Sequence, residues 1–146
     1  MTTQVMVDGV TRDATPEELA EIELRFRVDI GSLKADKNQQ INAWRAAANT
    51  STFAHAEKEF DCDALSRSDI DGVANHVGLF GTFPNGFPGV WKAADNTMLP
   101  VPDVDAFRAL YASMTAQGAE NFLRSQALKA QLEKASTVEE IAAITW

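Results

Sequence analysis

Residues 90–114, VWKAADNTMLPVPDVDAFRALYASM, restrict the folds open to this chain more than any other stretch. They read as two short strands joined at Asp95-Asn96, the second closed by Pro100 and Pro102, with a long amphipathic helix beginning directly afterwards. Asn96 suits the tight turn because its short amide tolerates positive φ and bonds its own backbone, while Thr97 returns the chain to β geometry. Pro102 fits just before a helix but not inside one, and the Asp103 carboxylate can accept hydrogen bonds from the first free amides of that helix. Whatever precedes this unit must pack onto it or trail away from it.

Upstream, residues 4–11, QVMVDGVT, set Val5, Val7 and Val10 around an Asp-Gly turn signal, which predicts a small hairpin or an extended arm. Three valines make no core, so such a piece is expected to order against another chain or another part of a larger particle. Thr15-Pro16-Glu17-Glu18 starts a helix: Thr15 caps it, Pro16 takes the first position, where its missing amide costs nothing, and Glu18 completes a capping box. Leu19, Ile22 and Phe26 then recur at helical spacing between acids and arginines, a stripe narrow enough to suit a seam between helices rather than burial in a globule. Asp29-Ile30-Gly31 weakens the rod, breaking or bending it, before a second helical stretch from Leu33 through Ile41 and Trp44 to Ala48. This gives residues 1–36 as an N-terminal hairpin and helical attachment arm, and 37–146 as a compact α-rich domain. Val5, Val7, Leu19, Ile22, Phe26, Leu33, Ile41 and Trp44 are the expected contact residues of the arm.

In the second part, residues 53–61, FAHAEKEFD, fit a short strand or hairpin with Phe53 and Phe60 turned inward. Asp61 or Asp63 caps a helix over 64–77, whose Leu65, Ile70, Val73, Ala74 and Val77 mostly share one face. The loop 78–89, GLFGTFPNGFPG, cannot leave Phe80, Phe83 and Phe87 all in water, so these three are expected to tuck against the fold or a neighbouring subunit. Phe107, Leu110, Tyr111, Met114, Phe122, Leu128 and Leu132 carry a long helix to about Lys134 with Gly118 its weak link, and Ser136-Thr137-Val138-Glu139-Glu140 caps a last short one. The expected class is therefore α+β, mostly α: a helical arm followed by a small helical domain, with a short antiparallel hairpin or sheet from 53–61 and 90–100.

Chemistry is scarce. The formal charge of −8, with 13 scattered cations, argues against nucleic acid, and no run of apolar residues is long enough to span a membrane. The start MTTQVMVDG has neither a basic nor an apolar leader segment, so synthesis and folding in a cytoplasm are expected. Asp61, Asp63, Asp69 and Asp71 are the most metal-like group, but an EF-hand loop begun at Asp61 would meet Leu65, Ser66 and Gly72 where an oxygen ligand, a glycine and a glutamate are required. Helix capping explains the same acids. Cys62 at a helix start, with His55 or His76 as base, is the one conceivable nucleophilic pair, and no Gly-x-Ser-x-Gly, HExxH or phosphate-loop pattern accompanies it. Trp44, Trp91 and Trp146 fit core or interface better than sugar stacking. No catalytic, cofactor-binding or metal-binding residue is assigned.

Four phrases in order, INAWRAAA from Ile41, EFDCDALSRSDIDGV from Glu59, VWKAADNTMLPVP from Val90 and NFLRSQALKAQLEKASTVEEIAAITW from Asn121, resemble a domain of unknown function common in tailed bacteriophages. That domain closes tail-fibre or tail-fibre-assembly chains or stands alone among tail genes, and the likeness covers roughly 37–146. MVDGVTRDATPEELAEIE is also similar to the openings of small phage tail proteins, whereas the Phe-rich loop 78–89 departs from the pattern. The resemblance implies a non-enzymatic structural component of a phage tail, at the distal tail, baseplate or fibre attachment. It implies a place in the virion after synthesis in the host cytoplasm, and partners among other tail proteins and further copies of the chain, a trimer included. A tail-fibre assembly chaperone is the alternative, and a glycan-active or host-modifying enzyme a third, for which the expected acids or nucleophile and base are not found.

Overall fold

The computed structural model describes residues 2–26 and 29–146, without the side chain of Phe26. Helix takes 58% of the chain and the strands are three or four residues each, so the protein is α+β and mostly α. The order is β1 (Gln4–Val7), β2 (Val10–Asp13), α1 (Pro16–Phe26), α2 (Ile30–Asn49), β3 (Thr52–His55), β4 (Lys58–Asp61), α3 (Ala64–Phe80), β5 (Val90–Lys92), β6 (Met98–Pro100), α4 (Val104–Lys134) and α5 (Val138–Ala142).

The strands form three separate two-stranded antiparallel hairpins. This corrects the expectation of one sheet shared by 53–61 and 90–100. Between those two hairpins the Ala94 amide donates to the Glu59 carbonyl at 2.8 Å and Lys58 Nζ donates to Thr97 Oγ1 at 2.6 Å, and no strand ladder joins them. With β5 and β6 only three residues long and Pro100 offering no amide, there is too little edge for one.

Helix starts follow local chemistry. The Thr15 hydroxyl accepts from the Glu18 amide while Glu18 Oε2 accepts from the Thr15 amide, a complete capping box. Asp29, extended, accepts from the Gly31 amide and so begins α2; Gly31 lies in its first turn. Asp63 caps α3, Asp103 caps α4 and Thr137 caps α5. Helix α3 runs through Gly78 to Phe80, three residues beyond the expected end, because the glycine that adopts the left-handed cap is Gly81, with φ of 70°.

Two hydrophobic clusters share α4, which at 31 residues is about 46 Å long. Its N-terminal half, through Phe107, Leu110 and Met114, closes over Phe53, Phe60, Cys62, Ile70, Val77, Ala93 and Val101 from the second and third hairpins and α3. Its C-terminal half carries Leu132, and Ala135 just beyond its end, against Ile41 of α2 and Ile141 and Ile144. A polar layer lies between them: buried Asn121 donates to Asn49 Oδ1 at 3.0 Å, and buried Ser125 donates to the Phe122 carbonyl. Burial of each large side chain contributes about 1.5–3 kcal/mol, so these clusters hold the body together.

Candidate interaction surfaces

No residue of 2–26 is buried among those described, whereas both clusters lie in 29–146. The first hairpin turns at Asp8 and Gly9, both with positive φ. Its register pairs Val5 with Arg12 and Val7 with Val10, so one face presents three valines and Arg12. From that face Arg12 makes a two-pronged ion pair with Glu18 of α1, both contacts 2.7 Å. The Arg12 guanidinium, followed by the Thr15 amide, holds the Glu18 carboxyl down at about 2, and Glu18 in turn raises the Arg12 pKa. The pair therefore fixes the valine face on the side of the hairpin next to α1. Val5, Leu19 and Ile22 are half-buried, while Val7 and Val10 remain exposed. The side chain of Phe26 lies outside the described residues. Leu24, 70% exposed, belongs to the open surface of this arm; it escaped the sequence reading because it falls off the Leu19-Ile22-Phe26 stripe.

The other expected arm residues behave differently, which is a correction. Ile41 is fully buried in the second cluster, with Leu33 and Trp44 packed against it, because α2 lies on α4 and α5 of its own chain. Ile30 joins the same cluster, and α2 passes without interruption through residues 36 and 37, where the sequence reading divided arm from domain. Lys37 Nζ sits 5.5 Å from the Trp44 ring centroid and donates to the Ile144 carbonyl, which ties the start of α2 to the end of the chain.

The Phe-rich loop splits too. Phe83 and Phe87 stack at 4.1 Å between centroids, and Phe83 meets Phe107 edge-on, so the loop is anchored on the first cluster. Phe80 stays 66% exposed at the end of α3 beside His76, and Leu79 is 79% exposed.

Near that end an apolar groove of about 340 Å³ runs between α3 and α4, lined by Ala74, Val77, Phe107, Tyr111 and Ala112, with Arg108 at its side. Tyr111 donates to Asp71 Oδ1 at 3.0 Å, and this bond, with burial, raises the phenol's pKa. The sequence could not assemble this groove, since its two walls are some thirty residues apart and each reads only as one helix face.

Several of the groups singled out for chemistry are occupied structurally, while Asp61 and Asp69 are exposed. Cys62 is buried beside Arg67, its Sγ 3.9 Å from Nη1, and burial pushes the thiol pKa up, away from a reactive thiolate. His55 Nδ1 is 2.7 Å from Ser113 Oγ, and since that hydroxyl can donate to the Ala109 carbonyl, the imidazole is placed to donate to it. Asp63 is a cap and Asp71 the partner of Tyr111. Among the described residues no three His, Cys, Asp or Glu side chains gather as a metal site, and no helix is long and apolar enough to cross a membrane.

A family model described as a domain of unknown function, DUF4376, matches residues 32–145. No curated protein and no solved structure matches the chain.

Proposed function

We propose that this chain, which belongs to the DUF4376 family, is a non-enzymatic structural component of a bacteriophage tail, attached to its neighbours through residues 2–26. The observation that carries the attachment is the contrast between an arm that buries none of its described residues and a body that closes both of its clusters. The tail assignment draws on the four phrases that resemble the phage domain, and on their order. The described histidines, the cysteine and two of the clustered aspartates serve caps, packing and helix ties, which is in keeping with a scaffold role. The site of attachment is the distal tail, the baseplate or the fibre junction.

Mass spectrometry of washed, purified particles tests this reading. The chain should be present in fixed ratio to the major tail proteins. A chain abundant in infected cells but missing from washed particles would mark an assembly chaperone that uses the same arm transiently.

A further inference from the structure

We infer that Asn85 is a site of spontaneous deamidation, and that its conversion to isoaspartate frees the loop holding Phe83 and Phe87 from the first cluster. The inference concerns the body of the protein and holds whether or not the chain serves a phage tail.

Asn85 and Gly86 are both exposed, at the tip of a tight turn in the loop 78–89. The Phe87 amide donates to the Pro84 carbonyl at 3.1 Å, and Gly86 takes φ of 84° while Asn85 keeps a negative φ, the pattern of a type II turn. Such a turn uses the Phe87 amide and leaves the Gly86 amide without a hydrogen bond among the described residues. A Cβ placed on Gly86 would meet nothing within 4 Å, so the space beside it is open, and glycine gives the peptide the rotation its nitrogen needs to reach the preceding side chain. That nitrogen, giving its proton to solvent, attacks Asn85 Cγ. The new N–Cγ bond closes a succinimide ring as the Cγ–Nδ2 bond breaks, and ammonia leaves with a proton taken back from solvent. Water then opens either ring carbonyl, giving aspartate or isoaspartate, so the change needs only water.

The other asparagines are held. Asn38, Asn42, Asn49, Asn75 and Asn121 lie in helices, where the amide that follows each donates back along the helix. Asn96 sits in an exposed turn, but the next amide, of Thr97, donates to Asp95 Oδ1 at 2.9 Å and carries a stiff β-branched side chain beside it. What Asn85 holds in place is aromatic. Phe83 and Phe87 flank the turn and stack at 4.1 Å, with Phe83 edge-on to Phe107 and the Phe87 ring 6.4 Å from that of Trp91. Isoaspartate routes the chain through the former side chain and inserts a carbon into the backbone between them. The turn closed from Phe87 to Pro84 no longer fits, and the stack it positions comes away from the first cluster.

The test incubates the full chain in warm, mildly alkaline buffer and follows its intact mass, with fragmentation of the tryptic peptide 68–92 to place the change. Asn85 should gain the mass of an amide-to-acid exchange at least about tenfold faster than Asn96, the ratio given by a barrier lower by about 1.4 kcal/mol. The peptide from the incubated chain should then accept methyl groups from an isoaspartyl methyltransferase. Asp8-Gly9 can isomerise through the same ring, but without a change of mass and outside that peptide. The converted chain should lose amide-exchange protection at Phe87 and shift its Trp91 fluorescence. Freshly purified Asn85→Asp, which carries the charge on an ordinary backbone, should keep both, and Asn85→Gln should keep both through the whole incubation. Conversion of Asn75 or Asn96 ahead of Asn85 overturns the site, as does an Asn85 that stays an amide while the synthetic peptide 68–92 converts. A converted chain with Phe87 protection and Trp91 fluorescence unchanged overturns the release, and loss of both in fresh Asn85→Asp overturns the backbone argument.

Discussion

The first and second hairpins have equal strand lengths and the same handedness of turn, yet they are stabilised from opposite directions. β1–β2 turns on Asp8 and Gly9, with φ of 51° and 80°, residues that accept the left-handed region readily. β3–β4 turns on Ala56 and Glu57, with φ of 49° and 61°, where each Cβ costs about 1–2 kcal/mol. The favourable turn belongs to the hairpin that buries nothing, and the strained one to the hairpin whose Phe53 and Phe60 pair across the strands and stack at 5.5 Å in the core. The second hairpin is also held at both outer edges, by Gln117 Oε1 accepting from the Ala54 amide and by the Glu59 carbonyl accepting from Ala94. The outward groups of Met6 and Thr11, at the equivalent register of the first, find no such partner among the described residues. Local propensity and tertiary burial can each specify a hairpin, and this chain uses one where it must stand alone and the other where it is held.

Deleting the tertiary term should break the contrast most. Phe60→Ala is expected to cost about 3–5 kcal/mol and to lower the denaturant midpoint of the body, whereas Val10→Ala should leave it unchanged within about 0.5 kcal/mol. Equal effects would mean that the arm shares the body's cooperative unit.

Relieving the strained turn comes next. Ala56→Asn with Glu57→Gly should raise stability by about 1–2 kcal/mol in chemical denaturation, since both new residues tolerate positive φ. Gly9→Ala, at φ of 80°, should accelerate amide exchange in β1–β2 without moving the global midpoint. A smaller loss, about 0.5–1.5 kcal/mol, is expected from Gln117→Ala, which removes the acceptor at the β3 edge.

The smallest effect is a pH dependence confined to the arm. The folded Glu18 carboxyl is held at about 2, below the usual carboxylate range, by the Arg12 guanidinium and then the Thr15 amide. A depressed folded pKa contributes stability that is present above the unfolded value near 4.5 and is lost as pH falls through about 2. Amide exchange at Thr15 and Leu19 should therefore quicken across that acid window while the β3–β4 amides are unaffected by this group. A Glu18 carboxyl resonance titrating at an ordinary value would show that the Arg12 clamp is open in solution.

What residue order determines here is what neighbours in sequence can decide between themselves. The Thr15-Pro16-Glu17-Glu18 start, the Asp103 and Thr137 caps, the Asn96 turn with φ of 65° and the long helical period to Lys134 are all legible because each partner lies within a few residues. The strained turn at Ala56-Glu57 is not, since neither residue signals a turn and its cost is offset by distant partners, the burial of Phe53 and Phe60 and the edge bonds to Gln117 and Ala94. The same limit applied to the arm. Leu19, Ile22, Leu33, Ile41 and Trp44 follow one helical rhythm, and nothing in that rhythm tells an open seam from a covered one. Folding buried Ile41 and packed the still half-buried Leu33 and Trp44 against it, because α2 reaches α4 and α5 about 90 to 110 residues along the chain, while Leu19 and Ile22, also half-buried, join neither cluster. Which apolar residues become core and which remain a surface depends on contacts between distant segments, and those exist only once the chain has folded.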